Sequence, residues 1–273
     1  MYKLIATDLD GTLLRPDKTM SEKTVQTIEK LIENGVYFVA STGRTHRELP
    51  KELERIKGMQ FAITVNGGAL YSYTENRYVY EITLEKCLAL RIMEFLDRFP
   101  VYGTCVINGR RYMPSDEDDV SNPEIEKVAM KGILSNTTFC KDVKAKIKEL
   151  PYDVQKILAY FTDPSVKEEL TNGLKEAFPE VTVSSSGPYN VEVNARGVDK
   201  GTALRKLCEY LQIDVADTMA FGDAGNDIPL LDAAGLAVVM SNGTDETKQH
   251  ADEIADSCEN DGVRKTIEKH FTW

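Results

Sequence analysis

Apolar positions along this chain come in short unbroken runs separated by amphipathic segments. Leu4-Ile5-Ala6 is the first such run, strand-like and without polar alternation, and it leads straight into Asp8 and Asp10. Ser21 then stands where it can cap a helix whose Val25, Ile28, Leu31 and Ile32 share one face and which Asn34-Gly35 ends. VYFVAST follows as a second apolar strand closed by Gly43. A charged helical segment over 45–57, interrupted by Pro50, precedes a third strand, FAITV, which ends at Asn66-Gly67-Gly68. Strands too apolar for one-sided exposure, alternating with helices, predict a parallel sheet covered on both faces.

The rhythm then changes. Residues 69–82 alternate as a hairpin with its turn at Glu75-Asn76, a helix is predicted over 85–98, and YGTCVI with RRYM forms a second hairpin around Asn108-Gly109. Polar helices over 121–131 and 141–149, a strand at KILAYF, a helix opened by Asp163-Pro164, and strands at VTVSSS and NVEVN complete this stretch. From Asp199 the first rhythm returns. A helix over 200–211 leads to strand TMAFG, helix DIPLLDAAG, strand LAVVM, and helices over 244–251 and 262–270. The expected fold class is therefore α/β: a doubly wound, Rossmann-like, mostly parallel sheet formed by residues 1–82 and 189–273, split by an inserted α+β domain over 83–188.

Composition narrows the function classes. Of 273 residues, 42% are apolar and 28% charged, enough to bury real cores. The net charge of −11, from 33 basic and 44 acidic residues, argues against binding a nucleic-acid backbone or an anionic membrane surface. A small anionic substrate stays open, because one lysine and a metal ion can reverse the field locally. Cys87, Cys105, Cys140, Cys208 and Cys258 are dispersed without a C-x-x-C pair, and no signal-peptide core or run of eighteen apolar residues is present. A cytoplasmic protein with reduced thiols is expected.

The polar residues at the strand ends carry the chemistry. Residues i and i+2 of a strand share a face, so Asp8 and Asp10 project together beyond the first strand, where open α/β sheets bind ligands. Ser41-Thr42-Gly43 offers a hydroxyl and a backbone donor, Lys200 opens a helix with a cation, and Asp223, Asn226 and Asp227 follow another strand. Acidic side chains converging on one crevice make sense around a hard cation, and magnesium takes oxygen ligands together with a substrate phosphate. On this reading Asp8 and Asp223 are direct ligands and Asp227 acts through water. An EF-hand loop counted from Asp8 would need Gly at position six and Glu at twelve, where the chain has Leu13 and Thr19. A carboxylate pair also suits phosphoryl transfer, one member as nucleophile and the other as acid/base, although spacing does not say which is which.

DLDGT at 8–12, STGR at 41–44, DKG at 199–201 and GDAGND at 222–227 closely resemble the four motifs of the haloacid dehalogenase superfamily. Their order, with a large insertion between the second and third, is similar to its Cof-type sugar-phosphatase branch. The resemblance implies a magnesium-dependent phosphohydrolase of small phosphate monoesters, sugar phosphates above all, working through an aspartyl-phosphate under a closing cap. It makes Asp8 the nucleophile and Asp10 the general acid/base, with the Asp10 backbone carbonyl a further metal ligand. Asp223 becomes the acidic metal ligand and Asp227 a support of the metal shell. Leu9, Thr42, Gly43, Lys200 and Asn226 become phosphate contacts, with Arg44 and with Asn66 of VNGG as further candidates. Ser41 stands where many relatives have alanine. The alternatives are a sugar phosphomutase of the same superfamily and a non-catalytic module that keeps the metal and phosphate site.

Overall fold

The computed structural model describes residues 2–118, 121–128 and 136–272. In chain order the strands are β1 Leu4–Thr7, β2 Tyr37–Ser41, β3 Phe61–Thr64, β4 Ala69–Ser72, β5 Arg77–Glu81, β6 Tyr102–Ile107, β7 Arg110–Pro114, β8 Thr137–Cys140, β9 Val154–Tyr160, β10 Val181–Ser184, β11 Asn190–Ala195, β12 Thr218–Gly222, β13 Leu236–Met240 and β14 Glu253–Ala255. They form two sheets and the chain divides into two compact units. One unit comprises the residues up to Gly43, Leu49–Tyr80, and those from Asp199 onward. The other comprises Arg44–Glu48 and Glu81–Val198.

In the first unit the order is β14-β13-β12-β1-β2-β3-β4-β5, parallel from β14 to β3, with β4 antiparallel to β3. This is the doubly wound sheet that the unbroken apolar strands predict. The strands are apolar on both sides because both faces are buried. Ile5 points into a cluster with Val25, Ile28 and Leu31 of helix Glu22–Glu33 and with Val263 and Ile267 of helix Gly262–His270. Leu4 and Ala6 point the other way, onto Ala203, Leu204 and Leu207 of helix Lys200–Leu211 and Leu230 and Leu231 of helix Ile228–Ala233. Ser21 caps its helix as expected, its hydroxyl accepting from the Thr24 N–H at 3.1 Å. The helices at Lys200 and Ile228 cross very closely: a Cβ on Gly201 would lie 2.0 Å from the Pro229 carbonyl oxygen.

The second unit is an α+β layer. Its sheet runs β10-β11-β9-β6-β7-β8, antiparallel except for the β7–β8 pair. One face packs Cys105, Ile157, Ala159, Val191 and Val193 against helices Lys86–Leu96, Val143–Glu149 and Val166–Ala177. The opposite face carries Val106, Met113, Leu158 and Tyr160 together with buried charge. Arg111 makes a two-pronged contact to Glu48, Nε to Oε1 at 2.9 Å and Nη2 to Oε2 at 3.2 Å, and Lys156 pairs with Glu192 at 3.1 Å.

Several elements depart from the sequence expectation. NVEVN, expected in the core within 189–273, is β11, which pairs with β9 and β10 of the second unit through its alternate apolar residues Val191 and Val193. The charged segment over 45–57 forms only two 3₁₀ turns, His46–Glu48 and Lys51–Arg55, since Pro50 between them has no N–H to donate and restrains Leu49. The helix expected over 244–251 is one turn, Asp245–Lys248, and the chain then adds the short half-polar strand β14. β8, Thr137–Cys140, is a further strand beyond those the sequence pattern predicts. The helix expected over 121–131 runs Pro123–Val128, and its remaining positions lie outside the described residues. Among the described residues, no helix is long and apolar enough to cross a membrane.

Candidate active site

Strand register brings the chemistry to one edge of the first unit's sheet. Thr7, the last residue of β1, sits beside Phe221 of β12 and Ala40 of β2. The next residues outward are therefore Asp8 from β1, Gly222-Asp223 from β12 and Ser41-Thr42 from β2. β2 and β12 flank β1 on opposite sides, so the strand order reverses here, the position where a crevice opens in doubly wound sheets. The Asp8 N–H donates to the Phe221 carbonyl at 3.0 Å, as though the strand continued one residue further. The chain then turns back at once, with Leu14 N–H donating to Leu9 O at 2.8 Å.

Lys200 is the electrostatic centre. Asp199 caps its helix, the carboxylate accepting from the Thr202 N–H at 2.6 Å, which sets Lys200 at the first position. The Lys200 Nζ is fully buried and donates to Asp8 Oδ1 at 2.7 Å and to Asp227 Oδ1 at 2.5 Å. Asp227 uses its other oxygen to accept from the N–H groups of Asp223 and Ala224, both at 3.0 Å, and so shapes the loop after β12. Asp223 Oδ1 accepts from the Thr12 hydroxyl at 2.7 Å.

Carboxylate oxygens of Asp8, Asp223 and Asp227 come within 4.8 Å of one another. Burial pushes the Asp8 carboxyl well up, Lys200 opposes this, and Asp227, Asp223 and Asp10 push it further up. Asp223 is pushed up to about 6 by burial and by Asp227, against the hydrogen bond from Thr12. Burial by itself would depress Lys200, but Asp227 and Asp8 outweigh it and raise the ammonium. Negative charge thus exceeds what one lysine neutralises. An all-oxygen donor set of this kind fits a hard divalent cation. Glycine at position 11 keeps room beside it, because a Cβ there would lie 2.6 Å from Asp223 Oδ2.

Other expected residues fall as follows. Asp10 is half-buried and pairs with Lys18 at 2.8 Å. Leu9 is completely buried, its side chain part of the apolar cluster on one face of the sheet. Thr42 is buried, its N–H donating to Ile63 O at 2.9 Å and its carbonyl accepting from Asn66 N–H at 3.0 Å. Asn226 Nδ2 donates to Asn66 Oδ1 at 3.3 Å. Gly43 closes the first unit's first segment. Arg44, expected among the phosphate contacts, belongs to the second unit, where it is buried and donates to the Glu48 carbonyl at 3.1 Å.

Thr12, Lys18 and Asn242 also reach the site, and no sequence signal assigns them a role there. The Asn242 Nδ2 donates to Gly11 O at 2.8 Å and its Oδ1 accepts from the Cys258 N–H at 3.0 Å, which braces the loop after β1. Thr12 and Asp223 are 211 positions apart, and Asn242 and Gly11 are 231 apart. No local spacing connects such pairs.

Residues 5–267 match a family model described as haloacid dehalogenase-like hydrolase. Among curated proteins, the Bacillus subtilis 5-amino-6-(5-phospho-D-ribitylamino)uracil phosphatase YcsE is 30% identical, over 97% of this chain and 94% of its own length. A solved Thermotoga maritima structure superposes with a TM-score of 0.79 at 29% identity, covering 100% of this chain and 99% of that one. A subclass IIB sugar phosphatase of the superfamily gives 0.83 at 21% identity, covering 98% of each chain, a likeness of fold. Sequence and fold agree over almost the whole length, and the chain belongs to the haloacid dehalogenase-like hydrolase family.

Proposed function

We propose that this phosphoric monoester hydrolase depends on magnesium and works through an aspartyl-phosphate on Asp8. The observation that carries the reading is the buried Asp8–Lys200–Asp227 arrangement with Asp223 beside it, at the edge where the sheet's strand order reverses. In this reading an Asp8 carboxylate oxygen attacks phosphorus while the ester P–O bond breaks, and Asp10 gives its proton to the departing alkoxide. Asp10, now ionised, takes a proton from water, which attacks the aspartyl-phosphate, releases inorganic phosphate and restores Asp8. Lys200 and Thr42 stabilise charge on the transferring oxygens, and Asn226 helps to orient them. Asp8, Asp223 and the Asp10 carbonyl would hold magnesium, with Asp227 supporting the shell through water; the ion when bound supplies positive charge to the phosphoryl oxygens and keeps Asp8 ionised at neutral pH.

The substrate class we infer is a phosphate ester on a small polyhydroxylated carbon chain, sugar phosphates first. The superfamily sugar phosphatase and the phospho-ribityl phosphatase among the relatives both support that class. The test is phosphate release from sugar phosphates, the phospho-ribitylaminouracil, nucleotides and an aryl phosphate, in magnesium and in chelator, for the native protein and Asp8→Asn. Magnesium-dependent release lost in the variant is the expected result. Conversion of one hexose phosphate to its isomer without net release would instead identify a mutase. Binding of phosphate with no turnover would identify a non-catalytic module.

A further inference from the structure

The three residues after β3 hold a conformation that L-residues seldom adopt, and they do so beside three separate parts of the candidate site. Val65, Asn66 and Gly67 have φ of +56°, +56° and +97° in succession. A β-branched residue at positive φ is strained. Surrounding structure has to over-determine such a turn for it to persist, and strain of this kind concentrates at functional sites.

The turn's contacts are what it secures. Asn66 is buried. Its N–H donates to the Thr42 carbonyl at 3.0 Å and its side-chain oxygen accepts from Asn226 Nδ2 at 3.3 Å. Gly67 presses on the residue before Lys200 so closely that a Cβ would lie 2.2 Å from the Asp199 carbonyl oxygen. The Tyr80 hydroxyl donates to the Gly67 carbonyl at 3.2 Å and holds the turn from outside. One tripeptide therefore touches the ends of β2, of the loop after β12, and of helix Lys200–Leu211.

We infer that Asn66 is a positioning residue that sets Asn226 against the β2 end, and that it acts through Asn226 rather than on the substrate. The inference rests on the phosphohydrolase reading above and refines it. A primary amide suits the position on two counts: Asn tolerates positive φ better than other side chains, and its carbonyl oxygen accepts the Asn226 amide hydrogen. The side chain then acts as a fixed acceptor in the second layer of the site.

A double-mutant cycle on kcat/KM for the best panel substrate tests this, using Asn66→Gly, Asn226→Ala and both together. Glycine keeps the positive-φ backbone and the N–H to Thr42 and removes only the amide. Misplaced site groups cost up to about 10²-fold, and Asn66→Gly is expected to lower kcat by about 10- to 100-fold while KM changes less. In the Asn226→Ala background the same substitution is expected to change kcat/KM less than twofold, because its route of action is already gone. Additive losses in the cycle, or an unchanged kcat for Asn66→Gly, would overturn the inference. If Asn66→Gly failed to fold by circular dichroism, the cycle would be read with Asn66→Ser, whose shorter side chain withdraws the acceptor. Absence of turnover by the native protein in the same assay would count against the phosphohydrolase reading instead, so the two failures are distinguishable.

Discussion

Replacing Arg111 by Met should unfold the second unit far more readily than removal of an ordinary surface charge. Arg111 and Glu48 side chains are 1% and 0% exposed, and the guanidinium meets both carboxylate oxygens. Burial alone would raise the Glu48 carboxyl, but Arg111, by charge and hydrogen bonds, and the Thr45 N–H hold it below its usual 4.5. Breaking such a pair from one side strands a buried charge, which costs about 3–5 kcal/mol. For a unit of this size that is a fall in melting temperature on the order of 10–20 °C. The sign with pH follows from Glu48. With its folded pKa lowered, it contributes stability fully above 4.5, and that contribution is lost as pH falls through the lowered value. In Arg111→Met the unpaired carboxyl is pushed up by burial, so the variant is worst at high pH and gains relative to the native protein as the pH falls. Thermal unfolding at pH 8 and pH 5 should show a larger deficit at pH 8. Arg111→Met with Glu48→Gln, which removes the stranded charge and keeps an acceptor for Thr45 N–H, should recover about half of the loss. An equal deficit at both pH values, or no recovery in the double variant, would mean that packing rather than charge sets the cost.

Three further outcomes are expected. Gly67→Ala places a Cβ 2.2 Å from the Asp199 carbonyl at a φ of +97°, and should cost more than about 2 kcal/mol in urea unfolding and lower turnover at least tenfold. Lys200→Met leaves Asp8 and Asp227 buried without their shared cation, and should lose about 3–5 kcal/mol of stability in chelator together with at least about 10²-fold in kcat. An active Lys200→Met enzyme would refute the role given to that lysine. In metal-free protein the Asp223 carboxyl, held at about 6, and the Asp8 carboxyl, pushed well up by burial, must both lose their protons before they can ligate, so calorimetric magnesium affinity should be at least about fourfold weaker at pH 5.5 than at 7.5. Equal affinities at the two pH values would remove Asp223 from the ligand set.

Much of this molecule could be read before its structure. The unbroken apolar runs at Leu4–Thr7, Phe38–Ser41 and Phe61–Thr64 implied strands buried on both faces, and two clusters on opposite sides of one sheet are what cover them. Asp8, Lys200, Asp223 and Asp227 were legible because each follows a strand or opens a helix, and strand ends in a parallel sheet share one edge. Secondary structure was misread where local signals were weak or contrary: around Pro50, and at the half-polar β14. β11 has a clear strand pattern, but a pattern carries no information about which sheet a strand will join. Its partners β9 and β10 decided that, through the side of the sheet on which Val191 and Val193 find apolar neighbours.

The amino-acid sequence by itself determined the fold class, the split core and the residue types at the strand ends, because hydrophobic period, capping and turn chemistry act over a few residues. Tertiary structure alone decided which of those residues meet. It set the two carboxylates that share Lys200, the Thr12 hydroxyl on Asp223, the Asn66 amide beneath Asn226, and the assignment of Arg44 to the second unit. These contacts join positions as much as 211 residues apart, and they exist only once sheet register has brought the ends of separate strands to one level.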